Sequence, residues 1–146
     1  MTNPGDNSLV GEVLEMLEAL VACDTQNPPR EIGTDGIFAI VQGYLGDFDI
    51  EIFDYGDGCI ALHAVRGEPD ILFNVHLDTV PVADGWQTDP FGLEVTDDRA
   101  VGLGACDIKG AAACLLAAAE RTEGALALLF TSDEEAGSSR CVRQFT

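Results

Sequence analysis

Apolar residues Leu9, Val10, Val13, Leu14, Leu17, Leu20 and Val21 recur at steps of three and four, with Glu12, Glu15 and Glu18 between them. That period predicts an amphipathic helix over residues 8–23, with Ser8 as its cap. Pro28 and Pro29 end the pattern in a rigid loop, because neither proline can sit inside a helix and each restricts the residue before it. A second helix is expected through Ile37, Phe38, Ile40, Val41, Tyr44 and Leu45, capped by Thr34 or Asp35 and stopped by Gly46. Three short strands follow at residues 48–54, 59–65 and 71–75, and Gly56-Asp57-Gly58 between the first two signals a hairpin. Ile50 and Ile52 alternate with Asp49 and Glu51, as on a half-exposed edge strand, whereas Ile71-Leu72-Phe73-Asn74-Val75 reads as a central strand buried on both faces.

Downstream, a small hairpin is expected around residues 93–96 and 100–103, then an alanine-rich helix over residues 107–120 that is apolar on nearly every side. Residues 126–131 form another central strand, and Ser138 or Ser139 opens a last helix that turns Cys141, Val142 and Phe145 to the core. This order of elements predicts an α/β fold with a mixed, mostly parallel central sheet flanked by helices. The final helix pattern is only partly written, so the 146 residues read as the front part of a longer catalytic domain.

Composition narrows the ligands more than it narrows the fold. The formal net charge is -19, from 26 acids against 7 bases, and Lys109 is the only lysine. Nucleic acid and anionic membrane surfaces both call for basic patches, so neither is an expected partner; cations are. A solvated, acid-biased surface is the plainer source of much of this charge. Residues 1–18 carry four acids and no base, unlike a secretory signal, and no apolar run is long enough to span a bilayer. Five cysteines without a C-x-x-C spacing suggest reduced thiols and a cytoplasmic setting.

Three stations carry the candidate chemistry: His76-Leu77-Asp78, Asp107 between Gly104-Ala105-Cys106 and Ile108-Lys109-Gly110, and Asp133-Glu134-Glu135. Each lies where a predicted strand ends or a helix starts, which is where open α/β sheets bind ligands. An imidazole two residues from a carboxylate can ligate a metal while the acid orients it, although a lone histidine is more often a satisfied polar residue than a ligand. Asp107 can serve as an N-cap. Three adjacent acids after a buried run call for a cation, unless they merely form a solvated loop. One of two adjacent glutamates can bind metal while the other takes a proton from water. His63, mid-strand without an acid nearby, reads as structural. Cys106 leaves a thiol enzyme as a competing reading.

These segments together resemble one family. His76-Leu77-Asp78-Thr79-Val80-Pro81 with Trp86 and Asp89-Pro90-Phe91, the segment from Gly102 to Gly110, and Asp133-Glu134-Glu135 look like the two-zinc aminoacylase and carboxypeptidase superfamily, in its acetylornithine and acetylcitrulline deacetylase branch. Thr25-Gln26-Asn27-Pro28-Pro29 also matches that family's N-terminal loop. The resemblance implies two zinc ions, with cobalt as a possible substitute: His76 binds one, Asp107 bridges both, and Glu135 binds the other. It further implies that Asp78 orients His76, that Glu134 is the general base, and that Asp107-Ile108 is a cis peptide. The implied substrate is a small N-acyl amino acid of arginine biosynthesis, and the implied full-length form is a homodimer. A succinyl-diaminopimelate desuccinylase or a dipeptidase is the alternative within the superfamily, and a non-catalytic partner-binding module is the alternative outside it. Family members have a further acidic ligand beyond the Glu-Glu pair, a histidine near the C-terminus and a lid and dimerisation domain. None is found in residues 1–146, so this chain alone is expected to be inactive.

Overall fold

A computed structural model describes residues 6–29 and 31–146. Helix α1 (Asp6–Val21) leads through an irregular loop to α2 (Ile37–Gly43), and three strands follow: β1 (Asp49–Asp54), β2 (Ile60–Arg66) and β3 (Leu72–His76). A two-stranded ribbon of β4 (Glu94–Val95) and β5 (Ala100–Val101) precedes α3 (Gly110–Arg121), then β6 (Leu126–Thr131) and α4 (Arg140–Phe145). The main sheet runs β1-β2-β6-β3.

Helix α1 starts before Ser8, so that residue lies inside the helix rather than at its cap. Its buried side is Met16, Leu17, Leu20 and Val21, while Val10 stays exposed. Gly36 occupies the cap position of α2, in place of Thr34 or Asp35, with no side-chain cap bond. On one face of the sheet α1, α2 and α3 pack over Ile60, Leu62, Ala64, Leu128 and Phe130. On the other face, Cys141 and Phe145 of α4 meet Cys59, Ala61 and Leu129. The sheet is therefore sandwiched between helices, the arrangement that buries both sides of β6. His63 is structural here: its ring stands edge-on to Phe145 at 4.8 Å.

The sheet is mixed, as expected, but the parallel majority is absent among the described residues. β1 pairs β2 antiparallel and β2 pairs β6 antiparallel, because the β1–β2 hairpin folds back on itself, and only β3–β6 is parallel. β6 is central, as its apolar run suggests. β3 is not. It lies at the sheet's edge, with Ile71 63%, Leu72 40% and Phe73 44% exposed, because no strand among the described residues pairs its outer side. Helix α3 likewise leaves Ala111, Cys114 and Ala118 to solvent while Ala112, Ala113, Leu116 and Ala117 are buried. An exposed alanine methyl costs little, so a nearly all-apolar helix can still sit on the surface.

Candidate metal centre

Parallel pairing brings the first and third stations together. His76 is the last residue of β3 and lies opposite Thr131, the last of β6, and the Leu77 N–H donates to the Thr131 carbonyl at 2.7 Å. The loops leaving both strands therefore start side by side at the carboxyl ends of the sheet. The His76 ring is fixed from behind: Nδ1 lies 3.0 Å from the Asp78 carbonyl oxygen and 3.4 Å from Asp78 Oδ1. Those oxygens can only accept, so Nδ1 carries a proton and Nε2 is the atom turned to the site. Nε2 stands 3.2 Å from Asp107 Oδ1 and 4.0 Å from Glu134 Oε2. Donor atoms of His76, Glu134 and Glu135 all lie within 4.8 Å of one another. All three stations thus converge on one imidazole.

Asp107 reaches the site from a turn, not from a helix end. Residues 105–109 form a widened turn in which Asp107 is non-helical (φ -124°, ψ 90°), and Lys109, not Asp107, takes the N-cap position of α3. The Asp107-Ile108 peptide is cis, as the resemblance implies. Gly104 enters this turn with φ 76°, and a Cβ there would stand 2.5 Å from Thr79 Cγ2, so only glycine lets the turn close on the loop after β3. Lys109 is buried beneath it and donates from Nζ to the Cys23 carbonyl at 2.9 Å. Burial pushes this ammonium down to about 8, against the opposing charges of Cys23 and Asp24.

The acidic triplet divides. Asp133 is buried, 1% exposed, with its carboxylate engaged by the start of α4. Its Oδ2 accepts from the backbone N–H groups of Arg140 and Cys141 and from Ser138 Oγ. It therefore caps α4, which begins after Ser139 as expected but without a side-chain bond from that serine, and it needs no cation. Only Glu134 and Glu135 face His76. Asp78, fully buried, underlies them: Oδ1 accepts from the Glu134 N–H at 3.2 Å, and Oδ2 from the Glu135 N–H at 2.9 Å. Asn27 Nδ2 donates to the same Oδ2 at 2.9 Å. No local motif marks the parts that Asn27 and Lys109 play, since their partners lie 51 and 86 positions away in the chain. Cys106 is exposed on the turn, and both His76 nitrogens face carboxylates, so no imidazole is assigned to a thiol.

Charge tunes the groups together. Burial would push His76 down, but hydrogen bonds to Asp78 and the charges of Asp78 and Glu134 outweigh it and hold the imidazole up at about 9. Burial would likewise raise Asp78, but the bonds from His76, Asn27, Glu135 and Glu134 hold it below the usual carboxylate range. Glu135 is raised, by burial first and then by the charges of Asp107, Glu134 and Asp78, against the pull of His76. A proton on His76 thus stands where a metal cation would. In the metal-free chain, His76 titrates at about 9 folded and near 6.5 unfolded. Its stabilising contribution is complete below pH 6.5 and is lost as pH rises towards 9. Stability in urea is therefore expected to fall by about 1–2 kcal/mol between pH 6.5 and 8, and His76→Gln flattens that slope. An unchanged slope in the variant would assign the effect to other groups.

Comparisons with known proteins agree with this architecture. Residues 72–146 match the model of Peptidase family M20/M25/M40. Over 138 residues the chain is 53% identical to N-acetyl-L-citrulline deacetylase of Xanthomonas campestris pv. campestris, covering 94% of this chain and 38% of that protein. It is 37% identical over 131 residues to succinyl-diaminopimelate desuccinylase of Rhizorhabdus wittichii, covering 84% and 34%. The crystal structure of human carnosine dipeptidase 1 superposes with a TM-score of 0.72 at 21% identity, over 89% of this chain and 33% of that one, a likeness of fold. The chain thus spans little more than a third of the length of these relatives. With the family's pattern matched over residues 72–146, half of its length, the chain belongs to peptidase family M20/M25/M40.

Proposed function

We propose that these residues form the N-terminal part of the catalytic domain of a metal-dependent hydrolase that cleaves the acyl amide of an N-acetylated amino acid. The acetylcitrulline or acetylornithine type, in arginine biosynthesis, is favoured by the 53% identity to a citrulline deacetylase. The observation that carries the reading is the convergence of Asp107, Glu134 and Glu135 on an imidazole whose other nitrogen is already held by Asp78. One oriented imidazole among carboxylates is a donor set that suits zinc, and cobalt in its place. His76, Asp107 and Glu135 would hold the metal, two ions in the complete site with Asp107 shared. A bound zinc supplies Lewis acidity towards water and an amide carbonyl.

The chain's own residues supply the rest. Asp78 keeps the His76 ring oriented and, through the Glu134 and Glu135 N–H groups, sets where both glutamates stand. The Glu134 carboxylate, largely open to solvent, takes a proton from the attacking water and returns it to the leaving amine. A mostly apolar cleft lined by Asn74, His76, Ile108, Thr131, Glu134 and Val142 opens beside it and is suited to a small substrate's carbon skeleton. In this reading a lid and dimerisation domain belong to a longer, cytoplasmic, homodimeric form, and residues 1–146 alone are inactive. A desuccinylase is the second reading, favoured by the 37% identity to succinyl-diaminopimelate desuccinylase.

Two measurements test this. Saturating Co²⁺ or Zn²⁺ should raise the melting temperature of the chain, by about 2.7 kcal/mol of stability at a hundredfold excess over Kd, and a chelator should reverse it. Joined to the remainder of the Xanthomonas protein, the chain should hydrolyse acetylcitrulline in a chelator-sensitive manner, with succinyl-diaminopimelate cleaved far more slowly. Activity indifferent to chelators would sink the metal mechanism. The opposite substrate preference would replace the deacetylase with a desuccinylase.

A further inference from the structure

The segment after α1 contributes no candidate ligand, yet it is docked along the site as closely as a strand. Gln26 bridges Thr79 in parallel fashion, the Asn27 N–H donates to the Thr79 carbonyl at 2.8 Å, and the Thr79 N–H donates to the Thr25 carbonyl at 2.9 Å. Thr25 Oγ1 adds a buried bond to the Leu77 carbonyl at 2.8 Å. Residues 77–79, which follow β3, are thereby tied to residues 25–27. At the end of this pairing the Asn27 side chain, 1% exposed, spans two acceptors that follow two different strands, β3 and β6: Asp78 Oδ2 at 2.9 Å and the Ser132 carbonyl at 3.1 Å. A carboxylate and a carbonyl only accept, so the orientation of the amide follows from its partners.

We propose that Asn27 is a positioning residue of the metal centre: its amide locks the Asp78 carboxylate to the end of β6, and Asp78 in turn fixes the backbone at Glu134 and Glu135. Four donors reach the Asp78 carboxylate, and Asn27 is the one that also ties it to Ser132, immediately before the triplet. Without it, the fully buried Asp78 keeps its other donors but loses the strut that ties it to the end of β6. The choice of a neutral donor has a physical reason. A lysine or arginine would hold Asp78 as firmly but would place a fixed positive charge where a cation must bind. An amide holds the carboxylate and leaves its charge available to the imidazole. Only the last step, from glutamate position to metal affinity, rests on the proposed function.

Two readouts on the full chain test this. In the metal-free protein, the Glu134 and Glu135 amide protons, donated to a carboxylate, should move upfield and exchange faster in Asn27→Leu, while probes in α1 and β2 keep their positions. Cobalt affinity should drop about 10- to 100-fold with an altered visible spectrum, as when a partner of a ligand is lost. Thr25→Val removes the bond to Leu77 in the same loop without touching Asp78; it should lower stability yet keep affinity within about twofold. Should Asn27→Leu fail to fold, Asn27→Ser, with a donor for one acceptor only, should shift the same two amides. Wild-type amide shifts in either variant, or an equal affinity loss in Thr25→Val, would overturn the assignment. If the wild-type chain takes up no cobalt, the metal reading fails, and the amide shifts still decide the role of Asn27.

Discussion

Glu134→Gln, in the chain joined to the remainder of the Xanthomonas deacetylase, is expected to lower kcat for acetylcitrulline by about 100- to 10,000-fold, the range for losing a general base. The glutamine amide keeps the size and the backbone bond to Asp78 but cannot accept a proton at neutral pH. Cobalt uptake should stay close to the wild-type level if Glu134 moves protons and does not ligate. The geometry makes this discriminating, because Glu134 shares the 4.8 Å cluster with His76 and Glu135 and could serve as a ligand instead. Loss of cobalt binding equal to that of Glu135→Gln would make Glu134 a ligand and leave the base unassigned. Unchanged kcat would remove the assigned mechanism.

Asp133→Ala is expected to cost about 3 kcal/mol of folding stability, measured as a fall in the urea midpoint at constant slope. The variant strips acceptors from the Arg140 and Cys141 N–H groups, and Cys141 is fully buried. Asp133→Asn should cost only about 1 kcal/mol, since an amide oxygen at the Oδ2 position can still accept from both N–H groups and from Ser138 Oγ. The two variants should bind cobalt as the wild type does wherever they are folded. A loss of cobalt affinity with stability intact would instead return Asp133 to the metal site.

Much of this protein is local, and that part is legible in the chain. The β1–β2 hairpin around Gly56-Asp57-Gly58, the β4–β5 ribbon and the edge character of β1 follow from period-two patterns and turn residues, and the central strand β6 from its continuous apolar run. Such signals act over a few positions, so neighbours in sequence suffice to express them. The three stations are visible for a related reason: their residues stand at strand and helix ends, where motif spacing and ligand position coincide.

What pairs with what across the chain was decided by the tertiary structure alone. The apolar run at residues 71–75 carries the pattern of a central strand, but burial depends on what lies beside it, and β3 has β6 on one side only. Asp133, Glu134 and Glu135 are alike in sequence, yet one caps α4 while the other two meet His76, because the chain turns after β6 and sends the first carboxylate to α4 and the next two to the imidazole. Asn27 and Lys109 acquire their parts from partners 51 and 86 positions away. The sequence by itself thus determined the family, the element types and the residues able to bind a metal. Which carboxylates converge, and which buried amide and ammonium hold them there, was decided by long-range packing, since a hydrogen bond between distant segments leaves no periodic trace in either one.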